Sequence, residues 1–156
     1  MSSCTPDLAQ LAQSIKIWGQ ELGFAHVGIA GVDLGEHEHH LQRWLDAGYQ
    51  GEMEYLGAHG SKRSHPDQLI PGTVRVVSLR MDYLSGDTQM AQRLAQPEKA
   101  YISRYALGRD YHKLVRKRLQ QLAERIQAVI GPFGHRAFVD SAPVLEKAIA
   151  EKAGLG

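Results

Sequence analysis

The sequence predicts one α/β domain. Apolar residues recur at helical spacing in some segments and cluster in short β-branched runs in others, and the two patterns alternate along the chain. A length of 156 residues suits a single hydrophobic core, and no internal repeat, low-complexity tract or linker divides it.

The elements follow in order. Thr5-Pro6-Asp7 reads as a helix start, with Thr5 as N-cap, Pro6 at the first helical position and Asp7 in the first turn. Leu8, Leu11, Ala12, Ile15, Trp18 and Leu22 carry the helical stripe, and Gly23 ends it. Residues 24–30 (FAHVGIA) are apolar enough for a buried strand. A second helix is expected over residues 37–47, with Leu41, Trp44 and Leu45 on one face, and Met53 to Leu56 can add one turn. Residues 57–72, polar and holding Pro66 and Pro71, read as a loop. Residues 74–81 (VRVVSLRM) are the clearest strand. Ser85-Gly86-Asp87 signals a turn, residues 90–95 a short helix, and residues 101–105 an extended piece. A long helix is expected over residues 109–130, striped by Tyr111, Val115, Leu119, Leu122, Ile126 and Val129 and closed by Gly131-Pro132. Residues 135–139 (HRAFV) read as a third strand, and Pro143 sets up a final helix to about residue 153.

Composition excludes several classes. The single cysteine, Cys4, forbids an intramolecular disulfide and any all-cysteine zinc or iron–sulfur site within this chain. No run approaches the roughly 18 apolar residues of a membrane span, and the first residues lack a basic leader or apolar signal core. A cytoplasmic monomer with no membrane association is the expectation. The net charge of +1 does not mark a nucleic-acid binder, so local clustering of charge carries that question. There is no Walker loop, dinucleotide fingerprint or GxSxG elbow.

Four features bear on chemistry, each with a plainer explanation beside it. Asp140 follows an expected strand and precedes an expected helix, where α/β folds place ligands, and an acid desolvated beside a cofactor can deliver a proton; equally, Asp140 or Ser141 can cap that helix. Residues 101–112 (YISRYALGRDYH) gather aromatic, basic and small residues that suit close approach of a bulky ligand, or simply a helix entry with Gly108 at the turn. Arg109, Lys113, Arg116, Lys117 and Arg118 form a basic cluster, several on the face opposite the apolar stripe, that can meet phosphates or merely face water. His37-Glu38-His39-His40 invites a metal, yet it matches no catalytic metal motif, so a solvated helix start and no metal site are expected.

Several segments together resemble the epoxyqueuosine reductases. They are residues 23–30 (GFAHVGIA), 44–56 (WLDAGYQGEMEYL), Arg63 with Pro66 and 69–72 (LIPG), 103–112 (SRYALGRDYH) and 138–146 (FVDSAPVLE), the last two being the most specific. The resemblance implies an α/β, cobalamin-binding-type domain of nitroreductase-like character, with a mixed sheet flanked by helices. It implies reduction of epoxyqueuosine to queuosine at the wobble position of tRNA, with base-off cobalamin and two [4Fe–4S] clusters as cofactors. By the same resemblance Asp140 matches the proton donor, and Arg63, Ser103 and Asp140 match cobalamin contacts. Lys147, with Lys113, Arg116 and Lys117, is a candidate contact for tRNA phosphates.

Relatives of that family continue beyond such a segment into more of the cobalamin site and two cysteine-rich ferredoxin-like motifs. Residues 1–156 therefore correspond to an N-terminal part, and the isolated chain is expected not to turn over. Two other functions compete: another corrinoid reductase, such as a relative of the reductive dehalogenases, and a non-catalytic module that binds corrinoid or tRNA.

Overall fold

A computed structural model describes residues 7–84 and 89–156. The chain order is α1 (Leu8–Glu21), β1 (His26–Ala30), α2 (Glu36–Asp46), α3 (Pro66–Leu69), β2 (Val76–Arg80), α4 (Met90–Leu94), α5 (Tyr111–Ile130) and α6 (Glu146–Lys152). Short 3₁₀ turns occur at Glu54–Leu56, Gly60–Arg63 and Arg104–Ala106. Among the described residues no helix is long and apolar enough to cross a membrane.

The centre is a two-stranded antiparallel sheet in which Val27 pairs with Leu79, Ile29 with Val77 and Ala30 with Val76. Side chains alternate across such a ladder, so the sheet has two distinct faces. Val27, Ile29, Val77 and Leu79 pack against Ile15 of α1 and Leu122 and Ile126 of α5, with Leu11, Trp18, Leu22 and Phe133 around them. On the opposite face Ala30 and Val76 meet Leu34 and the Ala148–Ile149 pair of α6. Helices thus cover both faces, and the mixed α/β character read from the sequence holds.

Two glycines let the layers approach. A Cβ on Gly28 would lie 2.4 Å from the Ala153 carbonyl oxygen, so α6 docks directly on strand backbone. A Cβ on Gly19 would lie 2.4 Å from Val27 Cγ2, which brings α1 equally close to the other face.

Several expectations need correction. The sheet is not mixed: its two strands are antiparallel, and among the described residues no third strand joins them. Residues 135–139 run without a ladder; Val139 is buried, but the segment pairs with neither strand. Asp7 is itself the N-cap of α1, accepting from the amides of Ala9 and Gln10 at 2.9 and 3.2 Å. Thr5, Pro6 and the turn at Ser85-Gly86-Asp87 lie outside the described residues. The stretch expected to be a loop, residues 57–72, holds a 3₁₀ turn and α3, joined by the Ser61 hydroxyl donating to Gln68 Oε1 at 2.8 Å. Residues 101–105 are not an extended strand but lead into the 3₁₀ turn at Arg104–Ala106. The last helix starts at Glu146, with Leu145 at its N-cap position and no side-chain cap, so neither Asp140 nor Ser141 caps it.

Candidate active site around Asp140

α5 begins at Asp110, whose carboxylate accepts from the His112 amide at 3.0 Å and so caps the helix. That cap sets the first turn, and with it the directions of Tyr111 and His112. The Tyr111 hydroxyl donates to Asp140 Oδ2 across 29 positions of sequence. His112 Nε2 lies 3.5 Å from the same oxygen, and His112 Nδ1 lies 3.0 Å from Asp110 Oδ1. The Tyr111 and His112 rings stack at 4.1 Å, and Tyr105 meets Tyr111 edge-on at 6.1 Å.

The electrostatics follow from these contacts. Donation to Asp140 pushes the Tyr111 phenol up to about 12, so it remains a donor throughout the neutral range. The His112 hydrogen bond holds Asp110 below the usual carboxylate range. Glu146, in the first turn of α6, is raised by desolvation and then by the charge of Asp140.

Asp140 is, among the described residues, the one non-glycine with positive φ, at 55°. Left-handed backbone costs an ordinary L-residue about 1–2 kcal/mol and is least costly for aspartate and asparagine. Strain of this kind gathers where a side chain must point in one direction for a task. Here it turns the carboxylate toward α5 while leaving the residue exposed.

The other sequence candidates sit around this cluster at varying remove. Ser103 is exposed and opens the 3₁₀ turn that carries Tyr105. Its sequence neighbours Ile102, Tyr105 and Leu107 are exposed apolar residues. The Arg63 side chain donates to the Tyr55 carbonyl at 2.8 Å rather than reaching Asp140, while its own carbonyl accepts from the Leu145 amide at 2.9 Å and ties the two loops together. Both Arg63 Nε and Arg104 Nε are buried without a partner among the described residues, which leaves two donors unmet. Lys113, Arg116 and Lys117 are exposed and share one helix face by their i, i+3, i+4 spacing; Lys147 is exposed on α6. Arg118 departs from that cluster, folding inward toward the Gly23 carbonyl and Met81 sulfur.

Tyr111 and His112 fell inside the flagged run 101–112, and Glu146 at the end of the 138–146 match, without a role of their own. Tyr111 passed for the first residue of the apolar stripe, yet its hydroxyl serves Asp140. The N-cap signal of Asp110 was the available clue. On α2 the His37 and His40 rings meet edge-on at 6.3 Å and His37 lies 3.8 Å from Glu151, while Glu38 pairs with His65 at 3.0 Å. Among the described residues no three histidine, cysteine or carboxylate side chains converge. A cubane cluster needs four ligands, and the single cysteine of the sequence does not supply them.

Known proteins share both this sequence and this fold. The family model for "Epoxyqueuosine reductase QueG, DUF1730" matches residues 63–141, half of the chain. The epoxyqueuosine reductase of Pseudomonas aeruginosa is 80% identical over 151 residues, which cover 97% of this chain and 42% of that protein. The chain therefore spans about 40% of the length of the curated relatives it matches. Among solved structures, epoxyqueuosine reductase with an epoxyqueuosine-modified tRNA-Tyr stem loop superposes with a TM-score of 0.72 at 22% identity, covering 96% of this chain and 40% of that one. The Bacillus subtilis enzyme, captured with an aspartate-bearing catalytic loop swung out of its active site, has a TM-score of 0.72 at 21% identity, covering 96% and 39%. The likeness to the solved structures is one of fold; the family match runs from Arg63 to just past Asp140. On that match, this chain belongs to the epoxyqueuosine reductase family.

Proposed function

We propose that this chain is the N-terminal, cobalamin-binding part of a cytoplasmic enzyme that reduces epoxyqueuosine to queuosine in tRNA, and that Asp140 is its proton donor. The observation that carries the reading is the Asp140 carboxyl, strained in backbone, anchored by Tyr111, exposed to solvent, and inside the family-matched region. Removing an epoxide oxygen as water requires protons as well as electrons, because an alkoxide is a poor leaving group. A carboxyl open to water can give a proton to the departing oxygen and be recharged from solvent. The swung-out, aspartate-bearing catalytic loop of the B. subtilis enzyme accords with such a role for the 140–145 loop.

Cobalamin, when bound, supplies the reducing cobalt centre. Arg63 and Ser103 would hold it together with the loop of Asp140. The unmet Nε donors of Arg63 and Arg104 suit the amide oxygens of a corrin, and the apolar surface at Ile102, Tyr105 and Leu107 suits its macrocycle. Electron delivery by [4Fe–4S] clusters belongs to the portion of the relatives beyond the matched segment, since the residues here do not fit a cluster.

Lys113, Arg116 and Lys117 begin one residue past His112, so a phosphate backbone along that face would pass beside Asp140; Lys147 adds a charge on α6. The basic face favours an RNA substrate over a small organohalide. Reversing the charge of Lys113, Arg116 and Lys117 together should weaken tRNA binding and flatten its salt dependence by roughly 0.7–0.9 log units for each phosphate no longer neutralised. Unchanged binding would remove this face from the account.

The reading is tested by grafting residues 1–156 onto the remainder of the P. aeruginosa enzyme. The chimaera should form queuosine from epoxyqueuosine tRNA, cobalamin and reductant, while the isolated chain should form none. A chimaera that binds tRNA and cobalamin without turnover would refute the reading in favour of a non-catalytic binding module.

A further inference from the structure

The Asp140 carboxyl is held by one of its two oxygens. Tyr111 donates to Oδ2, His112 Nε2 approaches that same atom at 3.5 Å, and Oδ1 has no partner among the described residues. Both holding groups are themselves fixed: their rings stack on each other, Tyr105 closes on Tyr111, and Asp110 takes the far nitrogen of His112. A residue that merely terminated a loop would need none of this, and the helix-capping alternative is gone because α6 begins six residues later.

We infer that Tyr111 and His112 are positioning residues for proton transfer from Asp140, occupying Oδ2, stabilising the carboxylate left when the proton departs, and reserving Oδ1 as the oxygen that carries it. The inference rests on the reading of Asp140 as proton donor. In the step itself the Oδ1–H bond breaks, the proton goes to the departing substrate oxygen, and the electron pair stays on the carboxyl. The new charge is shared with Oδ2, where the Tyr111 hydrogen bond strengthens as it forms. Hydrogen bonds that strengthen as charge develops are the ones that accelerate a step. His112 at 3.5 Å lies a few tenths of an ångström beyond hydrogen-bond reach and adds its charge when protonated. Asp110, held ionised by His112, keeps that ring oriented.

The polar groups around Asp140 come from three elements, Asp110 and Tyr105 acting through His112 and Tyr111. Tyr111, His112 and Asp110 come from the start of α5, Tyr105 from the preceding 3₁₀ turn, and Glu146 from α6, where like charge opposes the carboxylate. Of these, Tyr111 alone donates to Asp140 directly.

The test is a carboxyl-carbon NMR titration of the full 156-residue chain, with D140N identifying the resonance. In Y111F the carboxylate loses its donor, so the Asp140 midpoint should move up, with proton affinity rising about threefold or more. H112Q should move it the same way, by less. The phenylalanine variant keeps the ring stack, so a merely structural Tyr111 would leave the midpoint in place. Unmoved midpoints in both variants overturn the inference; should Y111F fail to fold, an unmoved midpoint in H112Q does so alone. In the chimaera, Y111F should lower turnover about tenfold and shift the pH profile with the midpoint, while KM for tRNA holds. Loss of turnover in D140N but full activity in Y111F defeats this inference only. Full activity in D140N defeats the donor reading beneath it.

Discussion

Replacing Gly28 by alanine tests how far the site depends on the sheet. Local preference alone says the change should help, since glycine in a strand costs about 0.5–1 kcal/mol relative to alanine and Gly28 is not among the glycines with positive φ. The packing says otherwise. The new Cβ would lie 2.4 Å from the Ala153 carbonyl oxygen, 2.7 Å from Ala153 Cβ and 3.1 Å from its carbonyl carbon. Two of those are backbone atoms at the end of α6, so no rotamer change relieves the contact. Overpacking of this kind costs about 1–3 kcal/mol, which leaves a net destabilisation of up to roughly 2.5 kcal/mol, centred near 1. The strain should be relieved by lifting α6, and with it the 140–145 loop tied to Arg63 through Leu145. Urea unfolding followed by circular dichroism measures the first effect. The tyrosinate absorbance of Tyr111, drifting from about 12 toward the ordinary 10.0, measures the second. Gly31 has open space where a Cβ would go and an unexceptional φ, so G31A is the control that should lose nothing. A G28A chain as stable as its parent, with Tyr111 unmoved, would refute the docking of α6 on this face.

Other outcomes follow from the same contacts. In D140N the Tyr111 phenol loses its charged acceptor and should titrate nearer the ordinary tyrosine value, read by ultraviolet absorbance. Because the folded phenol is raised, its contribution to stability is complete below pH 10 and fades as pH climbs through about 12, so D140N should flatten alkaline unfolding curves. Glu146 is also raised, by desolvation and by Asp140, so its ionisation works against the folded state above the ordinary carboxylate range. E146Q should therefore raise the Tm at neutral pH, and the advantage should vanish in acid, where Glu146 is protonated in both states. An E146Q chain less stable at neutral pH would mean its carboxylate is needed rather than tolerated.

Much of the fold was legible because burial leaves a periodic trace. Residues 26–30 and 76–80 pair as strands with helices on both faces, and the Leu122–Ile126 part of the long stripe is buried as its spacing requires. The third strand failed because residues 135–139 carry strand-like composition yet pair with neither β1 nor β2; composition reports propensity, not partnership. The polar stretch over residues 57–72 hid short helices whose order comes from side-chain bonds such as Ser61 to Gln68, not from an apolar face. The final helix was expected from Pro143, yet the chain spends residues 141–145 crossing to the Arg63 turn before it winds.

Of the proposed site, Asp140 could be picked out from the sequence and its contacts could not. Asp140 stood out by position and by resemblance, whereas the Tyr111 contact links residues 29 apart and leaves no local signature. Arg63, whose side chain donates to the Tyr55 carbonyl, and Ser103, which opens the 3₁₀ turn before Tyr105, were legible only through the resemblance.

The most direct test of the account is D140N in the chimaeric reductase, with cob(II)alamin binding followed by electron paramagnetic resonance as the control. The account predicts queuosine formation reduced by about 10²–10⁴-fold, the loss typical of a removed general acid, when both proteins are compared at saturating cobalamin. D140N that forms queuosine at the parent rate would contradict it.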